Sequence, residues 1–305
     1  MLVIVCPGQG SQTPGFLSPW LELPAFKQSL EIAQSASGLD LQTYGTLSDA
    51  DTIKDTAIAQ PLIVAASLAS YAALAAAGIS NVAGVAGHSV GELAAASIAG
   101  VFDTATAMEF VTKRGSEMAK AAALTKSSMA AVLGGDRDEV VAYLTARGLS
   151  AANYNGSGQI VAAGDADSIT ALAAEPLAGT RVIPLAVAGA FHTNFMEPAV
   201  AELANYAAGI ATSDATLNLW TNKGGSIVKS GSEYLNLLVN QVSNPVRWDL
   251  CMDAMVAAGV TGLIELSPAG TLAGLAKRGM PGVETLALKT PDQIDAALEL
   301  AKNHG

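Results

Sequence analysis

The chain has 305 residues, half of them apolar and only 14% charged, which excludes a disordered polypeptide and supplies a large core. Its formal net charge of -11 excludes a general nucleic-acid role, because phosphate binding needs basic surface. Two cysteines, Cys6 and Cys251, make neither a disulfide framework nor a metal site of the usual spacing, and they suit a reducing cytosol.

Leu2–Cys6 is a short apolar run ending in Pro and Gly, the pattern of a buried strand. The start of the chain lacks the basic segment of a secretory signal. Helical periodicity follows over 24–36 and 61–77. Leu62–Ile79 has the length of a membrane span, but it is rich in Ala and Ser and lacks flanking Lys or Arg. It reads as a buried helix with Pro61 at its first position, so a cytoplasmic protein without a membrane partner is expected. A second strand at 83–86 runs into Gly87-His88-Ser89, and helices at 90–99 and 104–122 come next. This alternation predicts an α/β fold with a mostly parallel sheet covered by helices.

The middle of the chain has a different order. Strand 129–133, helix 136–147, strands 151–154 and 159–163, helix 167–174 and strand 182–185 spell βαββαβ, a ferredoxin-like motif. Residues 125–190 are therefore expected as a small inserted subdomain within a large domain made of 1–124 and 191–305. Further helices are predicted at 195–209, 232–241, 246–258 and 291–302, with a strand at 262–266.

Gly87-His88-Ser89-Val90-Gly91 is a G-x-S-x-G pentapeptide between a predicted strand and a predicted helix. A sharp turn there projects the Ser hydroxyl from the end of the sheet, and glycine on both sides removes the Cβ clashes. The alternative is a tight glycine turn with a buried serine. A nucleophilic serine needs a base. Of the three histidines, His304 is penultimate and His88 adjoins Ser89, where neighbouring side chains diverge. That leaves His192. Asp249 and Glu265 are candidates to orient it, and a dyad held by backbone carbonyls serves equally.

In helix 104–122, Ala107, Val111, Arg114 and Met118 share one face. An arginine on this apolar stripe, partly buried, would suit bidentate binding of a substrate carboxylate. The alternative is an arginine that snorkels out at the stripe's edge. Lys113, Lys120 and Lys126 form a candidate basic cluster for an acidic partner.

Together these segments resemble the malonyl-CoA:acyl carrier protein transacylases of bacterial fatty-acid and polyketide synthesis. The likeness covers PGQGSQ at Pro7–Gln12, Gln60-Pro61, GHSVGE at Gly87–Glu92 and Arg114-Gly115. It continues through NGSGQIVAAG at Asn155–Gly164, GAFHT at Gly189–Thr193, QVSNPVRW at Gln241–Trp248 and IELSPAGTLAGLAKR at Ile264–Arg278. Val85-Ala86, Val90 and Gly189 depart from residues common in the family, and Phe191 matches its malonyl-selecting form. The resemblance implies a hydrolase-like large domain and ping-pong transfer of malonyl from malonyl-CoA to the phosphopantetheine thiol of an acyl carrier protein. It implies acylation of Ser89, His192 as general base and acid, and an oxyanion hole from the N–H groups of Gln9 and Val90. It further implies Arg114 on the malonyl carboxylate and the Gln241 carbonyl on His192. Asn155, Met118 and Phe191 would line the acyl pocket, with no metal and no bound cofactor. A hydrolase using the same dyad, a member selecting another acyl group and a non-catalytic carrier-protein binder are the rival expectations.

Overall fold

The computed structural model describes Met1–Gly305. Its ten strands are β1 Leu2–Cys6, β2 Val82–Gly87, β3 Ser127–Leu133, β4 Ser150–Gly156, β5 Gln159–Asp165, β6 Arg181–Pro184, β7 Asn218–Leu219, β8 Val246–Arg247, β9 Gly262–Glu265 and β10 Glu284–Ala287. They form two five-stranded sheets, ordered β10-β9-β1-β2-β7 and β6-β3-β5-β4-β8. The first is wholly parallel. In the second, only the β4–β8 pair is parallel.

Strand β1 lies at the centre of the parallel sheet and is buried along its whole length. Its alternating side chains enter two cores. Leu2, Ile4 and Cys6 join the main hydrophobic cluster, while Val3 and Val5 join a smaller one on the opposite face. The second sheet keeps its own core, which includes Val132, Val140, Leu144, Ile160 and Ile169.

The β3–β6 order follows the predicted βαββαβ pattern. β8, from outside residues 125–190, adds a fifth strand that the pattern did not include. Residues 246–247 are consequently strand, and the helix expected from 246 starts at Trp248. The helix expected from Pro61 instead spans Thr56–Ala76, with Pro61 inside it. The Asp55 carboxylate accepts the Ala57 N–H and starts the helix earlier, so the proline lacks an N–H in the second turn rather than at the first position. This helix is long and apolar enough to cross a membrane, but the fold buries 78% of its most apolar window. Helices Leu41–Thr46, Ala50–Ile53 and Thr271–Gly279, and strands β7 and β10, were not predicted. Most of them are short, and Thr271–Gly279 contains Gly274 and Gly279.

Candidate active site

Strand β2 ends at Gly87, and helix Gly91–Ile98 begins four residues later. Ser89 occupies the turn between them with φ +52°, a left-handed conformation. A Cβ on Gly87 would overlap the Gly91 carbonyl group, and one on Gly91 would overlap the Cys6 carbonyl oxygen. The pentapeptide's glycines are therefore set by close approach of backbone to backbone.

The turn aims Ser89 at His192. The Ser89 hydroxyl donates to His192 Nε2 at 2.7 Å, and His192 Nδ1–H donates to the Gln241 carbonyl at 2.9 Å. The second bond fixes the tautomer and leaves Nε2 free to accept a proton. His192 also has a left-handed backbone, φ +62°, and its N–H donates to the Val242 carbonyl at 3.0 Å. Asp249 and Glu265, the acidic candidates, take no part. Asp249 pairs with Arg247 at 2.8 Å, and Glu265 accepts the backbone N–H groups of Gly270, Leu272 and Ala273. Both carboxylates are satisfied locally, which is why a backbone carbonyl orients the histidine.

Burial, reinforced by the Arg114 charge, lowers the His192 pKa from 6.5 to about 3, against the opposing bond to Gln241. The ring is thus neutral and basic at neutral pH. NMR of the imidazole rings should show no titration of His192 between pH 8 and about 5.5. A His192 midpoint near 6.5 would overturn this assignment. The depressed value has a stability consequence. The unfolded chain binds this proton first, so stability present above pH 6.5 is lost as pH falls toward 3.

Arg114 is only 2% exposed, deeper than the partial burial expected for it, and it does not snorkel. Two glutamines hold it. Arg114 Nη1 donates to Gln60 Oε1, Nη2 donates to Gln241 Oε1 at 2.8 Å, and Nη2 also lies 3.4 Å from Ser89 Oγ. Carboxamides satisfy N–H groups without neutralising the charge. Burial lowers the guanidinium pKa to about 10, with Glu92 opposing, so it stays charged at neutral pH.

Ser89, His192 and Arg114 share a cavity of about 270 Å³ with Gln9, Val90, Met118, Asn155 and Phe191. Gln241 supports it from behind. The backbone N–H groups of Gln9 and Val90 have no protein acceptor, as an oxyanion hole requires. His88 also lines the cavity, but its Nε2 bonds Asn155 Oδ1 at 2.9 Å rather than the nucleophile.

Residues 3–293 match the acyl transferase domain family. The chain is 47% identical over 304 residues to the malonyl CoA-acyl carrier protein transacylase of Mycobacterium tuberculosis H37Rv, covering 98% of this chain and all of that one. The chain belongs to the malonyl-CoA:acyl carrier protein transacylase family. The crystal structure of the M. tuberculosis transacylase superposes with a TM-score of 0.94, covering 99% of each chain. A malonyl-transacylase solved in complex with a type II polyketide acyl-carrier protein superposes with 0.93 at 29% identity, covering 98% of this chain and 99% of that one.

Several transacylase-site residues escaped the sequence reading. Gln60 appeared there only as part of a motif. Glu92 likewise appeared only within a motif, and Asn222 and Tyr234 had no assigned place, yet the three form one buried network with Gln241. Glu92 Oε1 accepts the Asn222 N–H at 2.7 Å and the Tyr234 hydroxyl at 3.1 Å, and Oε2 accepts the Gln241 carboxamide. Burial raises the Glu92 pKa to about 7 against these three donors. The proposed basic cluster is also corrected. Lys113 and Lys120 lie 2.9 and 2.8 Å from Glu117, and Lys126 lies 3.8 Å from Asp167. Glu202 adds a second carboxylate 3.9 Å from Lys113, so the acids around the three lysines offset much of their charge.

Proposed function

We propose that this transacylase moves a malonyl group from malonyl-CoA to the phosphopantetheine thiol of an acyl carrier protein, through a malonyl ester on Ser89. His192 Nε2 takes the Ser89 proton as Oγ attacks the thioester carbonyl. The tetrahedral oxyanion falls to the N–H groups of Gln9 and Val90. His192 returns the proton to the departing CoA sulfur. In the second half-reaction it deprotonates the carrier thiol, which attacks the ester, and it returns that proton to the departing Ser89 oxygen. No protein carboxylate and no bound cofactor is needed in this sequence.

The observation that carries the malonyl assignment is the buried Arg114 beside the nucleophile, held by two neutral glutamines. A guanidinium has five N–H donors, and the glutamines occupy two of them. The remaining edge can take a carboxylate attached to the acyl group, and Met118, Phe191 and Asn155 bound the space around it. The relative solved with its carrier protein supports the acceptor.

Intact mass spectrometry after mixing with malonyl-CoA tests the reading. One malonyl adduct should form, map to Ser89 and discharge onto holo carrier protein faster than to water. Both thiols are buried, and burial raises their pKa values well above the ordinary range, so neither should be labelled. An adduct on Cys6 or Cys251, or no adduct, would sink the assignment. Discharge to water at the same rate would make the protein a hydrolase.

A further inference from the structure

Asn222 is wholly buried behind the nucleophile turn. Strand β7 pairs in parallel with β2 through Gly84–Val85, and the next backbone bond runs from Trp220 N–H to the Val85 carbonyl at 3.2 Å. Continued by two residues, a parallel ladder would bring the N–H of residue 222 to the Gly87 carbonyl and its C=O to the Ser89 N–H. The main chain has turned away by then. Its N–H donates to Glu92 at 2.7 Å, and its C=O accepts from Arg247 N–H at 2.8 Å.

The side chain supplies both missing bonds. Asn222 Nδ2 donates to the Gly87 carbonyl at 2.8 Å, and Oδ1 accepts the Ser89 N–H at 2.8 Å. A primary amide thus stands where a peptide unit would, at the point where β2 becomes the left-handed turn. On the other flank, the His88 N–H donates to the Cys6 carbonyl of β1 at 3.0 Å. The turn is clamped from both neighbouring strands.

We infer that Asn222 is a positioning residue for the nucleophile, holding the Gly87–Ser89 turn so that Oγ points at His192. This rests on Ser89 being the nucleophile reached above. Because Asn222 occupies the Ser89 N–H, the next amide, that of Val90, is left to face an oxyanion.

Phenylmethylsulfonyl fluoride is a suitable probe. It sulfonylates an activated serine and carries no carboxylate for Arg114, so its result is independent of the malonyl assignment. Inactivation of Asn222→Ala should be about 10–100-fold slower than wild type, at temperatures where circular dichroism shows both folded. Asn222→Asp is the conservative partner. Its protonated carboxyl can donate to the Gly87 carbonyl and accept from Ser89 N–H, whereas its ionised form sets charge against that carbonyl. Relative to wild type, its rate should lie within about threefold near pH 5.5 and fall at least roughly tenfold by about pH 8.5. Glu92, Tyr234, Cys251, His88 and His192 surround the site in every variant, so the Asn222→Ala ratio to wild type removes their common titration. In Asn222→Asp the new carboxyl titrates together with the adjacent Glu92. The Asn222→Ala ratio should stay flat with pH. An Asn222→Ala rate within about twofold of wild type, or an Asn222→Asp ratio that ignores pH, overturns the inference. Failure of wild-type Ser89 to react would overturn the nucleophile itself.

Discussion

Replacing His192 by alanine should slow acylation of Ser89 by a factor on the order of 10²–10⁴, the usual contribution of a positioned general base. His88 cannot substitute. It is bonded to Asn155 at 2.9 Å, and burial lowers its pKa, so its ring is committed elsewhere. His304 lies at the other end of the fold, where it bonds Glu284 at 2.8 Å. The loss should appear in both half-reactions, since the same nitrogen serves CoA departure and carrier attack. Stopped-flow release of CoA and discharge onto carrier protein measure them separately. His192→Ala also removes the donor to the Gln241 carbonyl, so the thermal midpoint must be compared alongside. A folded variant with near-normal acylation would remove His192 from the dyad.

Arg114→Ala should abolish the preference for malonyl over acetyl. In the wild-type cavity, a malonyl carboxylate pairs with a buried cation, while an acetyl methyl leaves it unpaired. Two hydrogen bonds between charged groups, at about 1.5–3 kcal/mol each, correspond to roughly 10²–10⁴ in kcat/KM. The variant should lose that much with malonyl-CoA and gain relative activity with acetyl-CoA. Removal of the guanidinium also strands Gln60 and Gln241, so a moderate fall in stability should accompany the switch. Arg114→Lys should recover little, because a single ammonium cannot satisfy both glutamines and a bidentate carboxylate together. An unchanged ratio of malonyl to acetyl kcat/KM would leave Arg114 with a packing role only.

The parts legible in the sequence were those with a local signature. The elbow shows as paired glycines between an apolar run and a helix. The base shows through scarcity, since three histidines leave few choices. Arg114 shows because it interrupts an apolar stripe. The parts that escaped depend on contacts between distant residues. Asn222 meets Ser89 across 133 positions, and Gln241 meets Glu92 across 149. A buried carboxamide leaves no periodicity, so nothing local distinguishes Asn222 from a surface asparagine. Strand β8 has two residues and owes its existence to β4, which comes from another part of the chain. The Glu117 partners of Lys113 and Lys120 were visible, being four and three positions away on one helix. Reading the lysines without that glutamate, and without Glu202 and Asp167 from other elements, overstated the cluster's positive charge.

The two sheets divide the cavity in a way that bears on how such a site can change. The reacting and charge-reading groups, Ser89, His192, Arg114 and Gln241, lie outside the stretch from β3 to β6. The opposite wall comes from Met129, Ala131, Asn153, Asn155, Gln159 and Val161 on β3–β5. None of these side chains hydrogen-bonds Ser89 or His192, and Asn155 reaches only the neighbouring His88. Mutations in that wall can alter the room available to an acyl chain while the proton path stays the same. Room for a bulkier or branched acyl group can therefore be made in β3–β5 together with Met118 and Phe191, with the hydrogen bond between Ser89 and His192 left in place.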